Sequence, residues 1–120
     1  MKIALTTSGK DLNAPLDSRF GRAPKFIIYD LETKTFEVVD NDQNLNAAQG
    51  AGIQSAQNIA RLGVKALITG HCGPKAFRVL QAAKIKIYNT TTSTVLEAIN
   101  DYRNGKSTEA VSADAEGHWV

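Results

Sequence analysis

The sequence predicts an α/β fold in three layers, with helices on both faces of one mixed sheet. Three observations carry this. Strand-like and amphipathic helical runs follow one another in the order β-β-β-α-β-α-β-α. Residues 64–69 are apolar almost throughout, the pattern of a strand buried on both faces. Residues 25–40 read as a hairpin, antiparallel within itself, ahead of a β-α-β-α-β half that favours parallel pairing and right-handed crossovers. One five-stranded sheet in the order 3-2-1-4-5, with strand 2 antiparallel, satisfies all three.

Each element has its own signal. Residues 2–6 are a short apolar run closed by the turn signal Thr7-Ser8-Gly9. Residues 8–24 form a loop long enough to be functional, and Leu12, Leu16 and Phe20 supply anchors that argue against disorder. Residues 25–30 and 35–40 are strands joined by a tight turn at Glu32-Thr33-Lys34. A polar, small-residue stretch then leads into a helix over 53–62, with Ile53, Ala56, Ile59 and Ala60 on its inner face and Gly63 as its stop. After the strand at 64–69, Pro74 opens a helix bearing Ala76, Phe77, Leu80 and Ala83 at helical spacing. Residues 85–88 are the fifth strand, and a last helix runs from Thr94 to about Arg103 before Asn104-Gly105. Residues 106–120 are weakly patterned and read as a C-terminal tail, pinned by Trp119, on a single domain spanning 1–105.

Bulk composition removes several function classes. With 42% hydrophobic and 22% charged residues in 120, the chain belongs with ordinary globular domains. A net charge of +2 argues for neither nucleic acid nor membrane as a partner. One cysteine excludes an internal disulfide framework and cannot alone build a four-cysteine site. A free thiol suits a reducing compartment, and no apolar run is long enough for a signal peptide or a membrane span, so the expected location is cytoplasmic.

The chemistry concentrates in Thr69-Gly70-His71-Cys72-Gly73-Pro74-Lys75, where a strand passes into a helix N-terminus. A thiol beside such a terminus ionises more easily, and a thiolate is both nucleophile and soft-metal ligand. The plainer alternative, Cys72 as a small buried hydrophobe and His71 as a loop residue, stays open at this point. The predicted sheet order brings five segments to one edge: residues 7–9, Phe20-Gly21-Arg22, residues 46–52 with Gly50 and Gly52, Gly70 to Lys75, and residues 89–93 with Thr91. In open α/β sheets, ligands bind outside the carboxyl ends of the strands. That edge combines glycines, hydroxyls such as Ser8 and Thr91, and the cations Lys10, Arg19, Arg22 and Lys75, a surface suited to an anion. Carboxylates are few there (Asp11 and Asp17), no P-loop spacing occurs, and adjacent His71 and Cys72 make a poor nucleophile–base pair. One soft ligand, one imidazole and many donors suit an anionic, sulfur-rich metal cluster or oxyanion held by hydrogen bonds and charge.

Phe20-Gly21-Arg22-Ala23-Pro24, Gly50-Ala51-Gly52-Ile53-Gln54, and Thr69-Gly70 with Gly73-Pro74-Lys75-Ala76-Phe77 resemble the dinitrogenase iron–molybdenum cofactor biosynthesis family, in matching order over residues 1–105. The resemblance implies a ribonuclease-H-like α/β/α fold and a protein that binds or carries metal–sulfur clusters without catalysis. His71-Cys72 and the ending Gly117-His118-Trp119 are similar to the subgroup that holds a molybdenum–copper sulfide cluster non-covalently. An iron–molybdenum or iron–sulfur cluster is the alternative cargo. Expected partners are cluster donors or acceptors and associated ATPases. The cluster-binding set on this reading is Ser8, Gly21, Arg22, Gly50, Gly52, Gly70, His71, Cys72, Gly73, Pro74, Lys75 and Thr91, with His71 and Cys72 as metal ligands. One departure bears on this: the family's histidine before Phe-Gly-Arg is here Arg19, which removes a ligand and favours holding by charge. A regulatory scaffold and a Cys72-dependent enzyme are the competing readings. The absence of an acid–base constellation ranks the carrier first.

Overall fold

The computed structural model describes residues 1–41 and 51–110. The strands are β1 (Lys2–Thr7), β2 (Lys25–Asp30), β3 (Phe36–Asp40), β4 (Ala66–Thr69), β5 (Lys86–Asn89) and β6 (Thr108–Glu109). The helices are α1 (Ala51–Arg61), α2 (Pro74–Ala82) and α3 (Val95–Arg103), and a single 3-10 turn spans Phe20–Arg22. The sheet order is β3-β2-β1-β4-β5-β6. The strand pair β1–β2 is antiparallel and the pairs β1–β4 and β4–β5 are parallel, as the sequence order requires.

The architecture matches the expected α/β/α arrangement with one addition. Within what reads as a tail, Thr108 and Glu109 pair antiparallel with Asn89 and Tyr88, so the sheet has six strands and the open side of β5 is covered there. Two residues are too few for a period-2 pattern to show in sequence. Element ends differ from the sequence reading by one or two residues. Gly50 and residues 111–120, including His118 and Trp119, lie outside the described residues.

Side-chain alternation along the strands builds two cores. Ala4, Phe26, Ile28, Leu67 and Ile87 face α1 and α2, meeting Ala56, Ile59, Ala76, Phe77 and Leu80. Ile3, Leu5, Ile27, Tyr29, Ala66 and Ile68 face α3 through Val95, Ala98 and Ile99. Burying each such large side chain contributes about 1.5–3 kcal/mol. Helix ends are set by local chemistry. The Thr94 side chain accepts a hydrogen bond from the Glu97 N–H at the start of α3, an N-cap. Gly63 and Gly105 reverse the chain after α1 and α3 at φ of 76° and 72°, a conformation glycine adopts without Cβ strain.

Candidate functional site

The strand registers fix which chain ends meet. Thr7 pairs with Lys25, which pairs with Asp40, and Thr69 pairs with Asn89. The carboxyl ends of β1, β3, β4 and β5 and the start of β2 therefore share one end of the sheet, the convergence that the predicted order implies. Lys25 donates to Asp40 at 2.6 Å, and this bond and charge hold the Asp40 carboxyl below its ordinary range.

The long loop is laced across this end. Asp17 N–H donates to Thr6 O at 2.8 Å, and Thr6 Oγ1 donates to Asp17 O at 2.6 Å. Thr7 Oγ1 donates to Pro15 O, and Leu16 N–H to Ser93 O. Val95 and Leu96 N–H donate to Ala14 O and Leu12 O, so the loop also serves the first turn of α3. Thr6, Thr7 and Thr69 are fully buried, and these bonds satisfy hydroxyls that would otherwise be costly there. Leu12 and Leu16 pack on the α3 core and Phe20 in the other, so the three anchors straddle the sheet.

The same loop reaches β4. His71 N–H donates to Ser18 O at 2.7 Å and Phe20 N–H to His71 O at 3.1 Å, a short parallel bridge at Arg19 and His71. Glycine is required beside it. A Cβ on Gly70 would sit 2.7 Å from both Ser18 Cα and Ser18 O.

His71 and Cys72, adjacent in sequence, are separated in space. Cys72 is 1% exposed, belongs to the core beneath α1 and α2, and its Sγ lies 3.7 Å from Gly73 O. His71 is half-buried and lines a cleft of about 510 Å³ together with Gly70 and Thr91. Asn89, Thr90 and Thr92 add polar groups to this cleft, and Asn89 Nδ2 donates to Gly70 O at 2.9 Å. Its far wall is Asp101, Lys106 and Thr108, which sequence reasoning missed. The signal available was Asn104-Gly105, a helix stop that turns the chain back toward the sheet.

The other expected residues sit elsewhere on the same end. Gly73 caps α2 with Pro74 at its first position, and Lys75 in that turn is exposed. Gly52 is buried in the first turn of α1. Gly21 is buried in the 3-10 turn, where Arg22 is half-buried. Ser8 is exposed just past β1. Among the nominated residues that the structure describes, only Gly70, His71 and Thr91 share the cleft.

Two consequences follow for chemistry. Among the described residues no three His, Cys, Asp or Glu side chains cluster closely enough to hold a metal ion. And a thiol at 1% exposure is out of reach of solutes in the described conformation. Among the same residues, no helix is long and apolar enough to cross a membrane.

Comparison with known proteins agrees with this architecture. The profile of the dinitrogenase iron–molybdenum cofactor family matches residues 1–105. An uncharacterized protein of Methanocaldococcus jannaschii is 37% identical over 109 residues, 88% of each chain. The apo form of the orange protein from Desulfovibrio gigas superposes with a TM-score of 0.93 at 39% identity, covering 95% of this chain and 96% of that one. A putative NifB protein from Thermotoga superposes with a TM-score of 0.85 at 38% identity, covering 97% and 98%. Matched along nearly its whole described length, the chain belongs to the dinitrogenase iron–molybdenum cofactor family.

Proposed function

We propose that this protein is a non-catalytic carrier of an anionic metal–sulfur cluster, held at the carboxyl end of the sheet largely by hydrogen bonds and charge. The observation that carries the reading is the composition of the His71 cleft. It offers about 510 Å³ walled by hydroxyls, an imidazole, a lysine and an aspartate, within the range of small-ligand sites. It has no group of three metal-ligating side chains among the described residues. Such a place can bind a preformed anion, but it lacks the ligands to hold a bare metal ion. Membership of a cofactor family supports the same reading, including a role as an accessory in cofactor biosynthesis.

A molybdenum–copper sulfide cluster is the first cargo, on the resemblance carried by His71-Cys72 and Gly117-His118-Trp119. An iron–molybdenum or iron–sulfur cluster is the alternative. Gly70, His71 and Thr91 would meet the cargo in the cleft, with His71 as its one imidazole ligand. The exposed Lys75 at the N-terminus of α2 would contribute long-range attraction, with Arg22, Ser8, Gly21, Gly50, Gly52, Gly73 and Pro74 shaping the same end of the molecule. Direct bonding through Cys72 requires its loop to open. Cluster donors, acceptors and associated ATPases are the corresponding partners, in a cytoplasm that keeps the lone thiol reduced.

The test is reconstitution of the purified protein with tetrathiomolybdate and a copper salt, then desalting, a visible spectrum and metal analysis. Retained colour with molybdenum and copper in fixed ratio is the expected result. Arg22→Ala and Lys75→Ala should each weaken retention at low salt, and the difference from wild type should shrink as salt rises toward about 0.15 M and beyond, because exposed charges are then screened. Cys72→Ser should leave retention within about twofold, because a buried thiol makes no contact with a cleft-bound anion. A protein that keeps neither metal after desalting overturns the molybdenum–copper cargo, and the same assay with iron and sulfide then decides the carrier reading.

A further inference from the structure

The family match ends at residue 105, yet the His71 cleft is walled on one side by Lys106 and Thr108. These residues are held there by a specific turn. Asn104 caps α3, and Gly105 takes φ 72°. Gly105 N–H then donates to Tyr102 O at 3.2 Å and Lys106 N–H to Asp101 O at 2.8 Å. These are the paired bonds of a Schellman motif, which reverses the chain in a fixed geometry. Beyond it, Thr108 pairs with Asn89, Glu109 pairs with Tyr88, and Ala110 N–H donates to Ile87 O at 2.7 Å. Lys106 is thus clamped between a helix cap and a strand ladder, with its backbone secured on both sides.

We infer that the segment 106–109 is part of the binding site, with Lys106 the cation that holds an anionic cluster in the His71 cleft and Asp101 its built-in counterweight. The inference rests on the carrier reading and adds residues that reading did not contain. The charged and titratable side chains lining the cleft are His71, Asp101 and Lys106. The lysine and aspartate charges nearly cancel, so an anion bound there gains little net attraction from them and can be passed to an acceptor. That balance suits delivery of a cargo better than permanent storage. Removing either charge should shift retention in opposite directions, a sign pattern that general destabilisation cannot produce.

The experiment is equilibrium binding of tetrathiomolybdate with copper to the wild type, Lys106→Gln and Asp101→Asn, at 20 mM and 500 mM salt, with thermal melting of each variant alongside. One charge at a partly exposed site changes affinity by roughly fivefold at low salt. Lys106→Gln should therefore bind roughly fivefold more weakly and Asp101→Asn roughly fivefold more tightly, both differences collapsing at high salt. Gly105→Ala, which strains the turn without touching a charge, should weaken binding while β6 loses amide protection. Wild-type binding with both charge variants indistinguishable from it overturns this inference alone. Reversed signs overturn it as well, since they mean a cationic ligand. A wild type that binds nothing overturns the molybdenum–copper carrier reading and this inference with it.

Discussion

Gly70→Ala is the substitution that tests how the site is built. The added methyl would lie 2.7 Å from Ser18 Cα and O and 3.0 Å from Ser18 Cβ. Two of these three atoms are backbone, so no rotamer change relieves the clash, and the loop must shift away from β4. That shift stretches the two bonds that close the bridge, His71 N–H to Ser18 O at 2.7 Å and Phe20 N–H to His71 O at 3.1 Å. Each contributes about 0.5–1.5 kcal/mol net. Overpacking adds roughly 1–3 kcal/mol. Against this stands the lower unfolded-state entropy of alanine, about 0.4–1 kcal/mol in the variant's favour. The balance is a loss on the order of 2–3 kcal/mol. For a chain of this size that lowers Tm by roughly 8–12 °C, taking about 4 °C per kcal/mol. Urea denaturation would measure the loss, and hydrogen exchange should show faster exchange at the His71 and Phe20 amides with β1 and β2 unaffected. A variant as stable as wild type, with those two amides still protected, would show that the loop is not held by close approach at Gly70.

Two further predictions concern other local devices. Lys84 stands at the C′ position after α2 with φ 62°, its N–H donating to Gln81 O while Ile85 N–H donates to Leu80 O. Since a side chain in the left-handed region costs roughly 1–2 kcal/mol, Lys84→Gly should stabilise the protein by about 1 kcal/mol in urea denaturation, after the entropic cost of glycine is subtracted. The Asp40 carboxyl is lowered by the hydrogen bond and then the charge of Lys25, so its folded value lies below its unfolded one. Its contribution is present above about pH 4 and is lost as pH falls through the folded value. The stability gap between wild type and Asp40→Asn should therefore close on acidification, and a gap independent of pH would show that the ion pair contributes nothing. Because Asp40 is exposed, the gap should also narrow in high salt.

The order of the first five strands was legible because the hairpin and the apolar strand at 64–69 leave few topologies open. The convergence of loops followed from that order alone. What sequence could not show was which loop residues share a cavity. His71 and Cys72 are neighbours in the chain, but the first turns toward the α3 side of the sheet end and the second into the opposite core. Adjacent side chains of extended chain point to opposite faces, and His71 is extended where it bridges Arg19, a contact between segments some fifty residues apart that no local pattern announces. Lys106 was invisible for a related reason. It lies past a helix stop, in a segment whose regular structure among the described residues is the two-residue β6, and its place is set by Gly105 and by pairing with β5.

This separation bears on how cargo would be held. A soft thiolate bonded to copper or iron would anchor a cluster tightly, and release would then need ligand exchange at the metal. Burial of Cys72 withholds that anchor in the described conformation. What the cleft presents instead is one imidazole, several hydroxyls and a lysine opposed by an aspartate. Each of these interactions is individually weak, and those of the lysine and aspartate are sensitive to salt. On the carrier reading, affinity then comes from many modest contacts that can be given up one at a time, so transfer to an acceptor need not break a metal–sulfur bond to the protein. Cys72→Ser and Lys106→Gln divide the two possibilities. Loss of cargo in the first at any ionic strength means the loop opens and the thiol binds. Salt-dependent loss in the second, with the first intact, means the cluster is held by charge and hydrogen bonds.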